Sequence, residues 1–113
     1  MSYIYRHVNI VRVIDGDTVV LDIDLGNKIR WRDSFRLNGI DTPERGQPGH
    51  KEATIHLIDL LGNTLSRVET HKPDKYGRWL VDLYIHVGQG GDVHVNQLMI
   101  VGGHAKPYFG GTK

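Results

Sequence analysis

From Val19 to Leu37 the odd positions read Val19, Leu21, Ile23, Leu25, Ile29, Trp31, Asp33, Phe35 and Leu37, while most even positions are polar or charged. A period of two marks strands with one buried face. Gly26-Asn27 interrupts the run and predicts a hairpin turn. Val8 to Ile14 reads as a strand ahead of it, so the segment predicts a three-strand meander. From Lys51 to Leu61 the period changes: Ala53, Leu57 and Leu61 share one helical face, with Ile58 beside them, and Gly62-Asn63 supplies a stop. Leu65–Thr70 and Trp79–His86 read as two more strands, joined by a turn that holds Pro73-Asp74 and Gly77. After the glycine-rich loop at 88–91, Val95–Val101 predicts a short second helix ended by Gly102-Gly103.

Three strands, a helix, two strands and a short helix make a mainly β chain of the α+β class. The order is compatible with a five-stranded OB-type barrel carrying two short helices, and it leaves other α+β folds open. A length of 113 residues suits one domain with one core, so a single site is expected. No apolar run approaches the ~18 residues of a membrane-spanning helix, and no membrane association is expected. Met1 to Asp17 lacks the parts of a secretory signal, which favours the cytoplasm unless the sequence is a processed form. With no cysteine, disulfides, thiol catalysis and cysteine-ligated zinc are excluded.

Net charge is only +1, so a generally basic nucleic-acid coat is not indicated. Locally the charges separate. Lys28, Arg30, Arg32 and Arg36 accompany one acid, Asp33, whereas Asp15 to Asp24 holds four acids and no base. Adjacent basic and acidic segments suit a site for both a phosphate and a metal, although a solvated charged hairpin accounts for the same pattern about equally well.

Three segments gather charge at strand ends beside Gly or Pro: Asp15-Gly16-Asp17-Thr18, Arg36 to Glu44, and Asp74 to Arg78. Binding and catalytic groups concentrate on such loops because a rigid scaffold aims them without burying charge. Asp17, Asp41 and Glu44 offer oxygen ligands for a hard cation, calcium or magnesium, and the seven histidines, scattered singly, are given no metal role. Arg36 and Arg78 are natural partners of a phosphodiester, because a guanidinium donates a bidentate pair of hydrogen bonds and keeps its charge. Any one of these residues alone is more often a turn-forming Asp or a surface ion-pair Arg.

The order D-G-D-T, R-L-x-G-I-D-T-P-E, D-K-Y-G-R and V-N-x-L, with Gly and Ala just beyond, resembles the staphylococcal nuclease (thermonuclease) family from about Val11 to Ala105. The resemblance implies one SNase-like OB-fold domain over 1–113 that hydrolyses DNA and RNA with little sequence preference, leaving 3′-phosphate and 5′-hydroxyl ends. It implies a calcium ion, with magnesium as the alternative, on the carboxylates of Asp17 and Asp41 and the backbone carbonyl of Thr42. Arg36 and Arg78 match the phosphate-clamping arginines, and Glu44 matches the carboxylate that orients or deprotonates the attacking water. Lys75 and Tyr76 match residues that contact the nucleotide's phosphates, and Tyr108 lies nearest the position of a base-stacking tyrosine. Single-stranded nucleic acid is the expected partner and a monomer the expected state. The loop Arg45 to His50 looks shorter and less lysine-rich than in the secreted prototype, and little chain follows Tyr108, so grip on the substrate is expected to differ more than chemistry. A non-catalytic OB-type module that binds single strands is the alternative, and it leaves the five matched charged residues unexplained.

Overall fold

The odd positions of the meander do become a core face. In the computed structural model, which describes residues 2–62, 64–73, 77–88 and 90–108, Val19, Leu21 and Ile23 are completely buried on strand β3 (Thr18–Gly26), as are Phe35 and Leu37 on β4 (Ile29–Leu37). Leu25 and Ile29 keep the same parity but are exposed, because the tip of this hairpin runs past the core. The turn lies one residue later than predicted: Gly26 pairs with Ile29, and Asn27 and Lys28 both take positive φ, 54° and 65°. Two central residues of positive φ make the type I′ turn that matches strand twist.

Strand β2 (Val8–Asp15) pairs antiparallel with β3. Strands β6 (Thr64–His71) and β7 (Trp79–His86) form the second antiparallel pair, and β7 joins β4 in parallel, with Phe35 opposite Trp79 and Leu37 opposite Val81. This parallel contact is long-range and unites the two halves of the chain. Short strand β1 (Ser2–Tyr5) pairs with β6, and β8 (Asp92–His94) adds to β7, giving a seven-stranded sheet of order β1-β6-β7-β4-β3-β2 with β8 off that path. The ladder stays open, with β1 and β2 at its two ends linked through Arg6 and His7. The architecture is therefore mainly β and OB-like, with a barrel that is only approximate.

Helix α1 (His50–Leu60) packs Ala53 and Leu57 into the core, whereas Ile58 is half exposed and Leu61 caps the helix rather than extending it. The second helix, α2 (Val95–Val101), buries Val95, Asn96 and Met99. Buried Asn96 is a polar tie. Its side chain accepts from the Leu83 N–H at 3.0 Å and donates to the carbonyls of Asn38 (2.9 Å) and Val81 (3.0 Å), so it locks α2 to β7 and to the turn after β4. That turn leads into β5 (Ile40–Asp41), which pairs with β9 (Lys106–Pro107) in a separate two-stranded ladder. Strands of two to four residues show no readable period, which is why β1, β5, β8 and β9 were not predicted. No helix among the described residues is long and apolar enough to cross a membrane.

Candidate active site

The Asp15–Thr18 turn is built around a close approach. A Cβ on Gly16 would stand 2.8 Å from Ala53 Cβ of α1 and 3.1 Å from Thr42 Cγ2, so only glycine lets this turn lie against the helix and the β5 segment. Asp17 is thereby carried to the Thr42 backbone, whose N–H donates to Asp17 Oδ2 at 3.3 Å. The backbone N–H of Leu37 donates to the Asp17 carbonyl at 2.8 Å, tying the turn to the end of β4.

Arg36 is buried beside it. One of its terminal nitrogens, Nη2, lies 3.2 Å from Asp41 Oδ1 and 3.6 Å from Asp17 Oδ2, so a single guanidinium nitrogen is shared by the two aspartates. The ring of Tyr108 stands 5.2 Å from Arg36 Cζ in cation–π position, and its backbone N–H is anchored on the Gly39 carbonyl at 2.8 Å. Asp15, which was not among the predicted site residues, adds a further carboxylate, with Oδ1 accepting from the Asp17 N–H at 3.2 Å. Its place in the same D-G-D-T motif was the available signal.

Burial pushes the Asp17 carboxyl above its ordinary pKa, and Asp15 pushes it further; Arg36 and the Thr42 N–H oppose the rise without cancelling it. Two carboxylates on one guanidinium, with Asp15 hydrogen-bonded to the Asp17 N–H, leave unbalanced negative charge. A matched ion pair would leave no such excess, and a bound cation is one way to balance it. Asp17 and Asp41 offer carboxylate oxygens of the kind a hard cation takes.

A cleft of about 590 Å³ opens next to this cluster, lined by Asp41, Thr42, Pro43, Glu44, Gln47 and Pro48 on one side and Gly103 to Lys106 on the other. Asp41 belongs to both the cluster and the cleft. Glu44 is exposed, in a turn held by its N–H donating to Gln47 Oε1 at 2.8 Å and its carbonyl accepting from the Gln47 N–H at 2.9 Å. His104 and Lys106 face the cleft from the α2–β9 segment; neither was singled out in the sequence, where nothing marks them as neighbours of Asp41. Arg78 is exposed immediately before β7, at the end of the sheet where that strand joins β4. Lys75 and Tyr76 lie outside the described residues.

An OB-like sheet with a buried arginine between two aspartates at the wall of an open cleft defines the class to which this chain must be compared. The family model described as staphylococcal nuclease homologue matches residues 34–113. An uncharacterized endonuclease of Escherichia coli O157:H7 is 33% identical over 102 residues, which cover 90% of this chain and 61% of that protein. A micrococcal nuclease of Shigella flexneri is 32% identical over 103 residues (88% and 56% of the two chains), and a thermonuclease of Staphylococcus hyicus is 38% identical over 88 residues (71% and 48%). The chain belongs to the staphylococcal nuclease family. It spans about half to three fifths of the length of these relatives.

Proposed function

We propose that this domain is a cation-dependent nuclease that hydrolyses phosphodiester bonds of single-stranded DNA and RNA in the cleft beside Asp41. The observation that carries the reading is the excess of carboxylate at Arg36: Asp17 and Asp41 share one buried guanidinium, Asp15 lies beside Asp17, and burial first, then Asp15, makes Asp17 ionise reluctantly. Nuclease names among the relatives support the same reaction class.

In this reading Asp17, Asp41 and the Thr42 carbonyl hold calcium, with magnesium as the alternative. When bound, the ion supplies Lewis-acid polarisation of a phosphate oxygen. Glu44 accepts a proton from the water that attacks phosphorus. Arg36 and Arg78 donate hydrogen bonds to the non-bridging and leaving oxygens, stabilising charge that grows in the transition state as oxyanion-hole donors do. Cleavage of the bond to the 5′ oxygen leaves a 3′-phosphate and, once the leaving oxygen is protonated by solvent, a 5′-hydroxyl. Lys75 and Tyr76 contact the phosphates, while Tyr108, already under Arg36, stacks on a base or steadies the guanidinium. One chain carries every one of these residues, so a monomer suffices.

Incubating single-stranded and plasmid DNA and an RNA with the protein in calcium, in magnesium and in a chelator tests the reading. Degradation in calcium that stops in the chelator is expected, with 3′-phosphate ends on the products. Degradation that persists in the chelator overturns the mechanism, and strand binding without cleavage in either cation makes the domain a binding module instead.

A further inference from the structure

A second polar cluster lies away from the cleft, on the β6–β7 pair. Glu69 and Asp82 are direct cross-strand partners in the antiparallel register. Like charges facing each other on a sheet are destabilising; here Arg67 Nε, 3.7 Å from Glu69 Oε1, and the imidazoles beside buried Asp82 offset part of that cost. His71, on the same face of β6 two residues beyond Glu69, places Nε2 2.5 Å from Asp82 Oδ2. The ligand-type atoms of Glu69, His71 and Asp82 all lie within 4.8 Å of one another. Among the described residues this is the one place where three such side chains gather so closely.

The surroundings hold this set in place. His94 Nε2 lies 2.8 Å from the other Asp82 oxygen, Oδ1, with its ring stacked on Tyr84 at 4.8 Å, and Asn38 Nδ2 donates to Oδ2 at 3.3 Å. Partners that orient a ligating carboxylate in this manner are a regular part of metal centres. His71 and His94 remain about one-third exposed, so an ion has a path from solvent.

We infer that Glu69, His71 and Asp82 form a binding site for a divalent transition metal of the zinc class, with water in the fourth position and His94 and Asn38 fixing Asp82. An imidazole with two carboxylates suits zinc better than calcium, which prefers six to eight oxygens. Ligand atoms around a tetrahedral zinc stand roughly 3.3 Å apart, given ligand bonds of about 2.0–2.1 Å. The three atoms therefore close on an ion through small side-chain rotations, as the His71–Asp82 hydrogen bond opens and any proton on His71 Nε2 leaves to solvent. The ion adds positive charge between the facing carboxylates and staples β6 to β7 near the start of β7, which Arg78 precedes. This inference is independent of the phosphodiesterase reading.

The test is calorimetric titration of the whole chain with Zn²⁺ in millimolar calcium, together with visible absorption on adding Co²⁺. One equivalent of zinc and the intense ligand-field bands of four-coordinate cobalt are expected. Glu69→Gln and His71→Ala should each weaken uptake by about 100-fold or more, and His94→Ala by about 10–100-fold. Asp41→Asn, which alters the cleft, should leave zinc uptake unchanged. Absence of a stoichiometric zinc site in the wild type overturns the inference. So does uptake that survives Glu69→Gln and His71→Ala but is lost in Asp41→Asn. If His71→Ala does not fold, as judged by circular dichroism, the cobalt spectra of wild type and Glu69→Gln decide.

Discussion

At the scale of single residues, Glu44 lets the proposed chemistry be tested apart from the architecture. Its side chain is exposed and its backbone, not its carboxylate, makes the hydrogen bonds that shape the turn. Glu44→Gln should therefore leave the melting temperature nearly unchanged, within about 0.5 kcal/mol of stability, while turnover of bound single strand falls by about 10²–10⁴-fold. Single-turnover cleavage and thermal melts of the two proteins check this, and near-wild-type turnover would assign the water to another group. Arg36 is the opposite kind of residue. It is buried, it joins two aspartates, and its replacement would unbalance buried charges as well as any contact with phosphate, so its loss cannot be read as chemistry alone.

At the scale of elements, the site depends on how closely the Asp15–Thr18 turn lies against α1 and the β5 segment. Gly16→Ala forces a contact with Ala53 Cβ that only a shift of turn or helix relieves. A loss of about 1–3 kcal/mol is expected from such overpacking, together with weaker calcium binding as Asp17 moves. Adding Ala53→Gly should recover part of the loss despite its own helix cost of about 1 kcal/mol. Denaturant melts of both single variants and the double variant measure the coupling; strict additivity would show that the two Cβ atoms do not compete. The longer elements were legible because burial on one face writes a period into the sequence: Val19, Leu21, Ile23, Phe35 and Leu37 alternate as predicted, and Ala53 and Leu57 fall one helical turn apart. The exposed Leu25 and Ile29 have the same parity without the burial, because a period records which face a residue takes and not how far the core extends.

At the scale of the whole molecule, burial of Asp17 beside Asp15 makes stability depend on pH, and the proposed cation site would make it depend on calcium as well. Because the Asp17 pKa is raised in the folded protein, the folded state binds a proton more tightly than the unfolded one. The resulting penalty is present above the raised pKa, shrinks as pH falls through it, and is gone below the ordinary carboxylate value. In chelator at neutral pH, Asp17→Asn should accordingly melt higher than wild type, and the gap should close on acidification. Millimolar calcium should reverse the order by raising the wild-type melting temperature alone, since a ligand stabilises the state that binds it. Scanning calorimetry across pH, with and without calcium, provides the check, and identical curves for the two proteins would remove Asp17 from the cation site.

The sequence by itself determined the class of fold, the face each long strand and helix buries, and the three charged segments at strand ends, because these are local properties carried by period, turn residues and motif. The gathering of Asp17, Arg36 and Asp41 was legible through the family resemblance, whereas the motif alone allowed each to be an ordinary turn or surface residue. Only the tertiary structure decided the rest. The parallel register of β4 on β7 sets Arg36's strand beside the one that follows Arg78, and Asn96 holds α2 so that His104 and Lys106 border Asp41's cleft. His71 and His94 are among the histidines scattered singly along the chain, and nothing in the sequence marks Glu69 or Asp82 as their neighbours. They meet because side chains on neighbouring strands share a face through pairing register, and register is settled by long-range packing that no local pattern encodes.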